Sequence, residues 1–191
     1  CPNDDLYLLI LVISTGRNFE ARKAIRKSWG RADTSKRNVT TPESVRVIFV
    51  VGSDEKSDSR VTKEAKRYKD ILRGNFDDVY HQNEFHSVKA LLAFKWATLS
   101  CRSKFILKVL TESFVNVPAT MEWLRSKKPE SSDVRGLYTG FCHGHDTGGA
   151  AVIRNKESPW YITEEEWPEG RLPPYASGMG IAMSFDVVSR L

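Results

Sequence analysis

The stretch Lys104-Phe105-Ile106-Leu107-Lys108-Val109-Leu110-Thr111-Glu112-Ser113-Phe114-Val115-Asn116 carries an apolar run into a polar one. Lys108 sits inside the apolar part. A lysine is rarely fully buried without a partner, so Lys108 is expected to reach a carboxylate or a ligand at the strand edge. Glu112 is the one carboxylate at this run's end, and carboxylate oxygens are what a hard divalent cation takes. A second stretch is cationic: between Arg17 and Arg31 there are six basic residues and one acid, Glu20. Arg22 and Arg26 are four apart and share a helix face, where like charges cost about 0.2–0.5 kcal/mol. An anion docked between them would reverse that sign, and guanidinium forks grip phosphate oxygens in pairs. A third stretch, Pro173-Pro174-Tyr175-Ala176-Ser177-Gly178-Met179-Gly180, carries Gly178 and Gly180 after a Pro-Pro-Tyr turn, where they permit close backbone approach or positive φ. His143, His145 and Asp146 lie among glycines, as in a loop, and do not follow a standard zinc spacing. Glu164, Glu165 and Glu166 read as a solvated charge run.

The elements that must position these groups follow from periodicity. Leu6 to Ile13 is a near-continuous aliphatic run turned by Ser14-Thr15-Gly16, the pattern of a buried strand. Asn18 is expected to cap a helix running to about Trp29 and stopped by Gly30. Val45 to Val51 predicts a second buried strand, Arg60 to Tyr68 a polar helix, and Asp70 to Tyr80 short extended pieces. Phe85, Val88, Leu92, Trp96 and Leu99 fall at helical spacing and predict a long amphipathic helix. Phe105 to Leu110 is a third buried strand, and Ala119 to Ser126 a helix. Leu137 to Phe141 and Ala150 to Ile153 read as strands, Tyr175 to Met183 as a loop-to-strand passage, and Asp186 onward as a helix. Strands alternating with helices imply an α/β fold with a mainly parallel sheet covered on both faces. Such sheets bind ligands at the carboxyl ends of their strands, here Ser14-Thr15, Gly52-Ser53 and Leu110-Thr111-Glu112.

Composition narrows the function classes. Hydrophobic residues are 40% and charged residues 28% of the chain. That balance is that of a folded globular domain rather than a disordered chain. The 191 residues hold no repeat, low-complexity tract or linker, so they are expected to form one domain. The chain opens on Cys1 and ends within an apolar helix-like run, so it is expected to be truncated at both ends. The longest apolar run falls far short of the roughly 20 residues of a membrane helix. The net charge of +5 favours anionic partners, but the basic residues are spread out and follow no nucleic-acid-binding pattern. The three cysteines, Cys1, Cys101 and Cys142, fix no pairing, and Asn38-Val39-Thr40 is a candidate N-glycosylation site.

Several segments together resemble the β-1,3-galactosyltransferase family, which includes β-1,3-N-acetylglucosaminyltransferases. Asn18 to Gly30 is similar to its opening Arg-rich helix with Ile-Arg and Trp-Gly. Phe49-Val50-Val51-Gly52 resembles its next strand. Glu64-Ala65 to Tyr68, Asp70-Ile71-Leu72, Asp77, Lys89, Trp96 and Cys101 follow its middle segment. Pro174 to Gly180, with Ser184, resembles its late glycine motif. The order and spacing agree over nearly the whole chain. The resemblance implies a GT-A fold, a Rossmann-like nucleotide-sugar domain. It also implies a UDP-sugar donor, Mn²⁺, and transfer of galactose or N-acetylglucosamine with inversion to a glycan acceptor on a glycoprotein or glycolipid. It further implies a type II Golgi membrane protein whose lumenal domain follows an N-terminal membrane helix. Carried onto this chain, the donor-binding candidates are Ser14, Thr15, Arg22, Arg26, Lys108, Gly178 and Gly180.

The chain departs from that pattern at one place. The family has three consecutive aspartates after the Lys-Val strand, and this chain has Leu110-Thr111-Glu112. Leu offers no ligand and Thr a neutral one. Glu112, the remaining candidate metal ligand, carries its carboxylate about 1.5 Å further out than Asp. An error of that size can cost about 10²-fold in rate. The family's catalytic base belongs to a Glu-Asp motif expected C-terminal to Leu191, so no catalytic base is assigned. Two readings stay open: an active transferase, or an impaired paralogue that binds nucleotide sugar or glycan without turnover.

Overall fold

The computed structural model describes residues 1, 6–34, 44–78, 84–127 and 134–191, and Asn38 lies outside this set. The elements run in the order β1 (Leu6–Ile13), α1 (Phe19–Lys27), a short 3-10 helix (Trp29–Ala32), β2 (Val45–Ser53), α2 (Asp58–Tyr68), β3 (Ile71–Asp77) and α3 (Glu84–Ser100). They continue with β4 (Ser103–Leu110), α4 (Val117–Ser126), β5 (Tyr138–His143), β6 (Ala150–Ala151), β7 (Arg171–Leu172), β8 (Tyr175–Ser184) and α5 (Phe185–Val188).

Six strands form one sheet in the order β3-β2-β1-β4-β8-β5. β1 pairs in parallel with β2 and with β4, and β2 in parallel with β3. β8 runs antiparallel to both β4 and β5. The sheet is therefore mainly parallel, as expected, with an antiparallel edge. β1 is buried along its whole length because it lies mid-sheet with neighbours on both sides and helices on both faces. That is why its sequence is aliphatic without alternation. One core layer joins Ile10, Val12, Phe49 and Val109 to Ile25, Val61, Met121 and Leu124 of α1, α2 and α4. The other joins Leu9, Leu11, Ile13 and Ile106 to Ala93, Phe94 and Ala97 of α3 and Val188 of α5. This is the α/β, GT-A-like arrangement, with helices on both faces.

The chain builds outward from β1 through β2 to β3, then crosses back to place β4 on the other side of β1. The order reverses between β1 and β4, so the crevice beyond their carboxyl ends is the topological switch point. Ile13 is opposite Leu110 there.

Three expectations change. Asn18 makes no side-chain cap to α1. The glycines of the expected loop-to-strand passage lie within one continuous strand, Tyr175–Ser184, in which Gly180 pairs with Val109 of β4. That pairing outweighs the low strand preference of Gly180. The apolar stripe expected to bury α3 is split: Trp96 packs half-buried against the core, Val88, Leu92 and Leu99 are 48%, 44% and 76% exposed, and Ala90, Ala93, Phe94 and Ala97 meet the sheet. Small side chains let the helix axis lie close to the strands, so the alanine stripe wins the buried side. The side chain of Phe85 lies outside the described residues. Cys1 and Cys101 form a disulfide that ties the start of the chain to the end of α3, and Cys142 is a free, exposed thiol.

Candidate functional site

Three pieces of backbone meet along the sheet's carboxyl edge: the turn Ser14-Thr15-Gly16 after β1, the segment Leu110-Thr111-Glu112 at the end of β4, and Gly178–Gly180 of β8. Adjacent pairing of β1 with β4 and of β4 with β8 brings them side by side.

The turn after β1 is held by buried charges. Arg22 is fully buried; its Nη1 donates to Ser14 Oγ at 3.1 Å and to the Thr15 carbonyl, and its Nη2 to the Gly16 carbonyl at 3.3 Å. The same guanidinium pairs with Glu64 of α2, Nε to Oε1 at 3.0 Å and Nη2 to Oε2 at 2.6 Å. Lys89 of α3 donates to the Ser14 carbonyl at 2.8 Å and to Asp78 Oδ1, and Asp78 Oδ2 accepts the Gly16 amide at 2.7 Å. A Cβ on Gly16 would stand 2.0 Å from Ser57 Oγ, so only glycine lets this turn close onto the start of α2.

Arg26 sits one helical turn beyond Arg22. It forks onto Asp70 at 2.8 and 2.7 Å, donates to Glu64 Oε1 at 2.6 Å, and lies over the rings of Phe49 and Tyr68. Burial opposes its charge, but the hydrogen bonds to Asp70 and Glu64 outweigh it, so its pKa is raised and it stays protonated. The anion expected between Arg22 and Arg26 is thus Glu64 of the chain itself. This corrects the phosphate-clamp reading: Arg22 spends its donors on Glu64, Ser14, Thr15 and Gly16 and has no exposed surface to offer a ligand, and Arg26 pairs with Asp70 and Glu64. The two arginines shape the turn from behind. Ser14 and Thr15 stand at the crevice, with the Ser14 hydroxyl already accepting from Arg22.

At the end of β4, Thr111 is buried and its hydroxyl donates to the Ile13 carbonyl at 2.8 Å, stitching β4 to β1 across the switch point. Glu112 is exposed. Ser113 Oγ donates to the Met179 carbonyl at 3.0 Å. Lys108 is buried and reaches the Gly178 carbonyl, not a carboxylate. Burial lowers its pKa. Gly178 is exposed and Gly180 partly so.

These residues do not fit a resident divalent cation. Leu110 brings no oxygen, the Thr111 hydroxyl is turned to Ile13, and Glu112 leaves a single carboxylate. Among the described residues, no three His, Cys, Asp or Glu side chains converge as metal ligands. His143 instead stacks on Tyr175 at 5.0 Å with Phe141 edge-on at 5.1 Å. The acidic loop is a capped turn: Glu166 accepts the Thr163 amide and hydroxyl at 2.9 Å, and Arg154 beneath it donates to the Ile162 carbonyl at 2.8 Å.

Glu64, Asp70, Asp78 and Lys89 organise the turn yet were not among the sequence-derived candidates. Glu64 carried a usable signal. It lies three residues after the buried Val61 on one face of α2, where a carboxylate needs a cation.

The chain is 30% identical over 190 residues to the Mus musculus protein named beta-1,3-galactosyltransferase 5, covering 98% of this chain and 56% of that protein. It is also 30% identical over 198 residues to lactosylceramide 1,3-N-acetyl-beta-D-glucosaminyltransferase B of Xenopus laevis, covering 100% of this chain and 49% of that one. The chain spans about half the length of the curated relatives it matches. With residues 20–191 matching the family described as galactosyltransferase, on a doubly covered sheet whose switch point is intact, the chain belongs to the galactosyltransferase family.

Proposed function

We propose that this chain is the donor-binding part of a β-1,3-hexosyltransferase that takes galactose or N-acetylglucosamine from a UDP-sugar. The observation that carries this reading is the switch-point crevice between β1 and β4, in a chain of this family, with the Ser14–Gly16 turn fixed beside it by buried ion pairs. The nucleotide lies across that crevice, with its diphosphate toward Thr15, Gly16 and the glycine segment of β8. An acceptor hydroxyl then attacks the anomeric carbon from the face opposite the diphosphate. The new carbon–oxygen bond forms as the bond to UDP breaks, the configuration inverts, and the hydroxyl proton passes to a base outside these residues.

The acceptor in this reading is a glycan on a glycoprotein or glycolipid. Relatives named for lactosylceramide make lactose-terminated acceptors the first to try. The protein works in the Golgi lumen, held there by a membrane helix outside this chain; no helix of the described residues is long and apolar enough to cross a membrane. Mn²⁺ is not part of this mechanism. Were one bound, it would neutralise diphosphate charge, and Glu112 is the residue that would hold it. A second reading, nucleotide-sugar binding without turnover, is favoured by the strand end, where the Thr111 hydroxyl serves the sheet instead of a ligand.

The test is calorimetry with UDP, followed by transfer from UDP-galactose and UDP-N-acetylglucosamine to lactose using the full-length protein. Binding with β-1,3-linked product supports the transferase. Binding without product, under conditions where a relative is active, selects the second reading. Absence of binding to UDP and to both UDP-sugars overturns both.

A further inference from the structure

The buried charges around the crevice come in balanced groups, with one exception. Arg22 and Arg26 face Glu64 and Asp70, and Lys89 faces Asp78. Among the described residues, Lys108 has no such partner: its Nζ has the Gly178 carbonyl as acceptor and no carboxylate within ion-pair distance. An ammonium has three donors, so the other protons have no acceptor among these residues. Burying a cation this way is costly unless a negative charge arrives to meet it.

The surroundings leave a path for that charge. Lys108 lies on β4 opposite Ile181 of β8, and its Nζ extends toward the carboxyl edge as far as Gly178. Gly178 is exposed, and the space a Cβ would fill there has Lys108 Nζ as its one neighbour, at 3.7 Å. A ligand oxygen above Gly178 would sit against the ammonium. The end of β4 is only a few residues away, where Leu110 and Thr111 supply no carboxylate and Thr111 is bonded to Ile13. Among the described residues, one end of the crevice thus lacks the ligands for a divalent cation, while a fixed cation stands beside it without a counter-ion.

We infer that Lys108 supplies the positive charge that meets the donor's diphosphate in place of a divalent cation, so nucleotide binding by this chain does not require a metal. This rests on the UDP-sugar reading above. A diphosphate carries several anionic oxygens and suits a lysine, which acts as a point charge without demanding fixed ligand geometry. Gly178 is then the opening through which the ammonium is reached, a role that any side chain at that position would block.

The test is calorimetry of the full-length protein with UDP, in excess chelator and in MnCl₂, for the parent and for Lys108→Met, Lys108→Arg and Gly178→Val. Circular dichroism and the thermal midpoint report folding; Lys108→Met removes a buried charge and should keep or raise the midpoint. The expected result is equal affinity with chelator and with Mn²⁺, a loss of about ten- to a hundredfold in Lys108→Met and in Gly178→Val, and partial retention in Lys108→Arg. UDP binding that needs Mn²⁺, or that is unchanged in folded Lys108→Met, overturns the inference and leaves the UDP-sugar reading standing. No UDP binding by the folded parent in either condition overturns both.

Discussion

Glu64 and Arg22 form a two-pronged ion pair, 2.6 Å at its shorter contact, with both side chains fully buried. Glu64 also takes Arg26, so one carboxylate offsets two guanidiniums while Arg22 spends its remaining donors on Ser14, Thr15 and Gly16. The turn that borders the crevice is therefore shaped by ion pairs anchored behind it on α2.

Glu64→Ala should destabilise the fold by about 3–5 kcal/mol, because it strands Arg22 without a countercharge or access to water. Urea denaturation measures this. A loss under about 1 kcal/mol would mean the pair does not hold the turn. Arg22→Lys should be costly too, since an ammonium cannot fork onto Glu64 and still reach three groups of the turn.

The two stripes of α3 should respond in opposite ways. Ala93 lies against the sheet. Ala93→Leu adds bulk there and should cost about 1–3 kcal/mol. Leu99 is on the exposed stripe. Leu99→Glu should change stability by only about 0.5 kcal/mol or less. Thermal or urea unfolding of the two variants checks the assignment, and the reverse order would put the leucines back in the core.

Asp186 sets an acid limit on the docking of α5. Its carboxylate accepts the Ser184 hydroxyl at 2.6 Å and the Gly136 amide at 3.1 Å, and these hydrogen bonds lower its pKa. A carboxyl with a lowered folded pKa contributes stability above its unfolded value, near 3.8, and loses it as pH falls through the folded value. Asp186→Asn should therefore lower stability at neutral pH and flatten its fall below about pH 4. Parallel parent and variant curves through that range would contradict this.

The strands were legible because burial on both faces writes an aliphatic run, and β1 is buried at every position. The strand order was not, since nothing local says that β4 returns beside β1. The alternation of strands and helices pointed to the carboxyl ends of β1 and β4, which the topology makes neighbours, yet periodicity misread Arg22 and Arg26. Their countercharge, Glu64, lies 42 residues from Arg22, and a helix face read alone cannot reveal a partner on another helix. In α3 the alanines and leucines share one spacing, so period alone could not choose between the stripes. Lys108 is expected from its strand to reach a carboxylate or a ligand; the acceptor it reaches, the Gly178 carbonyl, depends on β8 lying beside β4.

The most direct test is the position of UDP on the folded chain, followed by amide chemical-shift changes in the ¹⁵N-labelled protein. Saturable shifts should concentrate at Thr15 and Gly16, at Thr111 to Ser113, and at Gly178 to Gly180, the three segments joined at the switch point. Changes centred elsewhere, or no saturable change in a well-folded sample, would contradict a nucleotide site between β1 and β4.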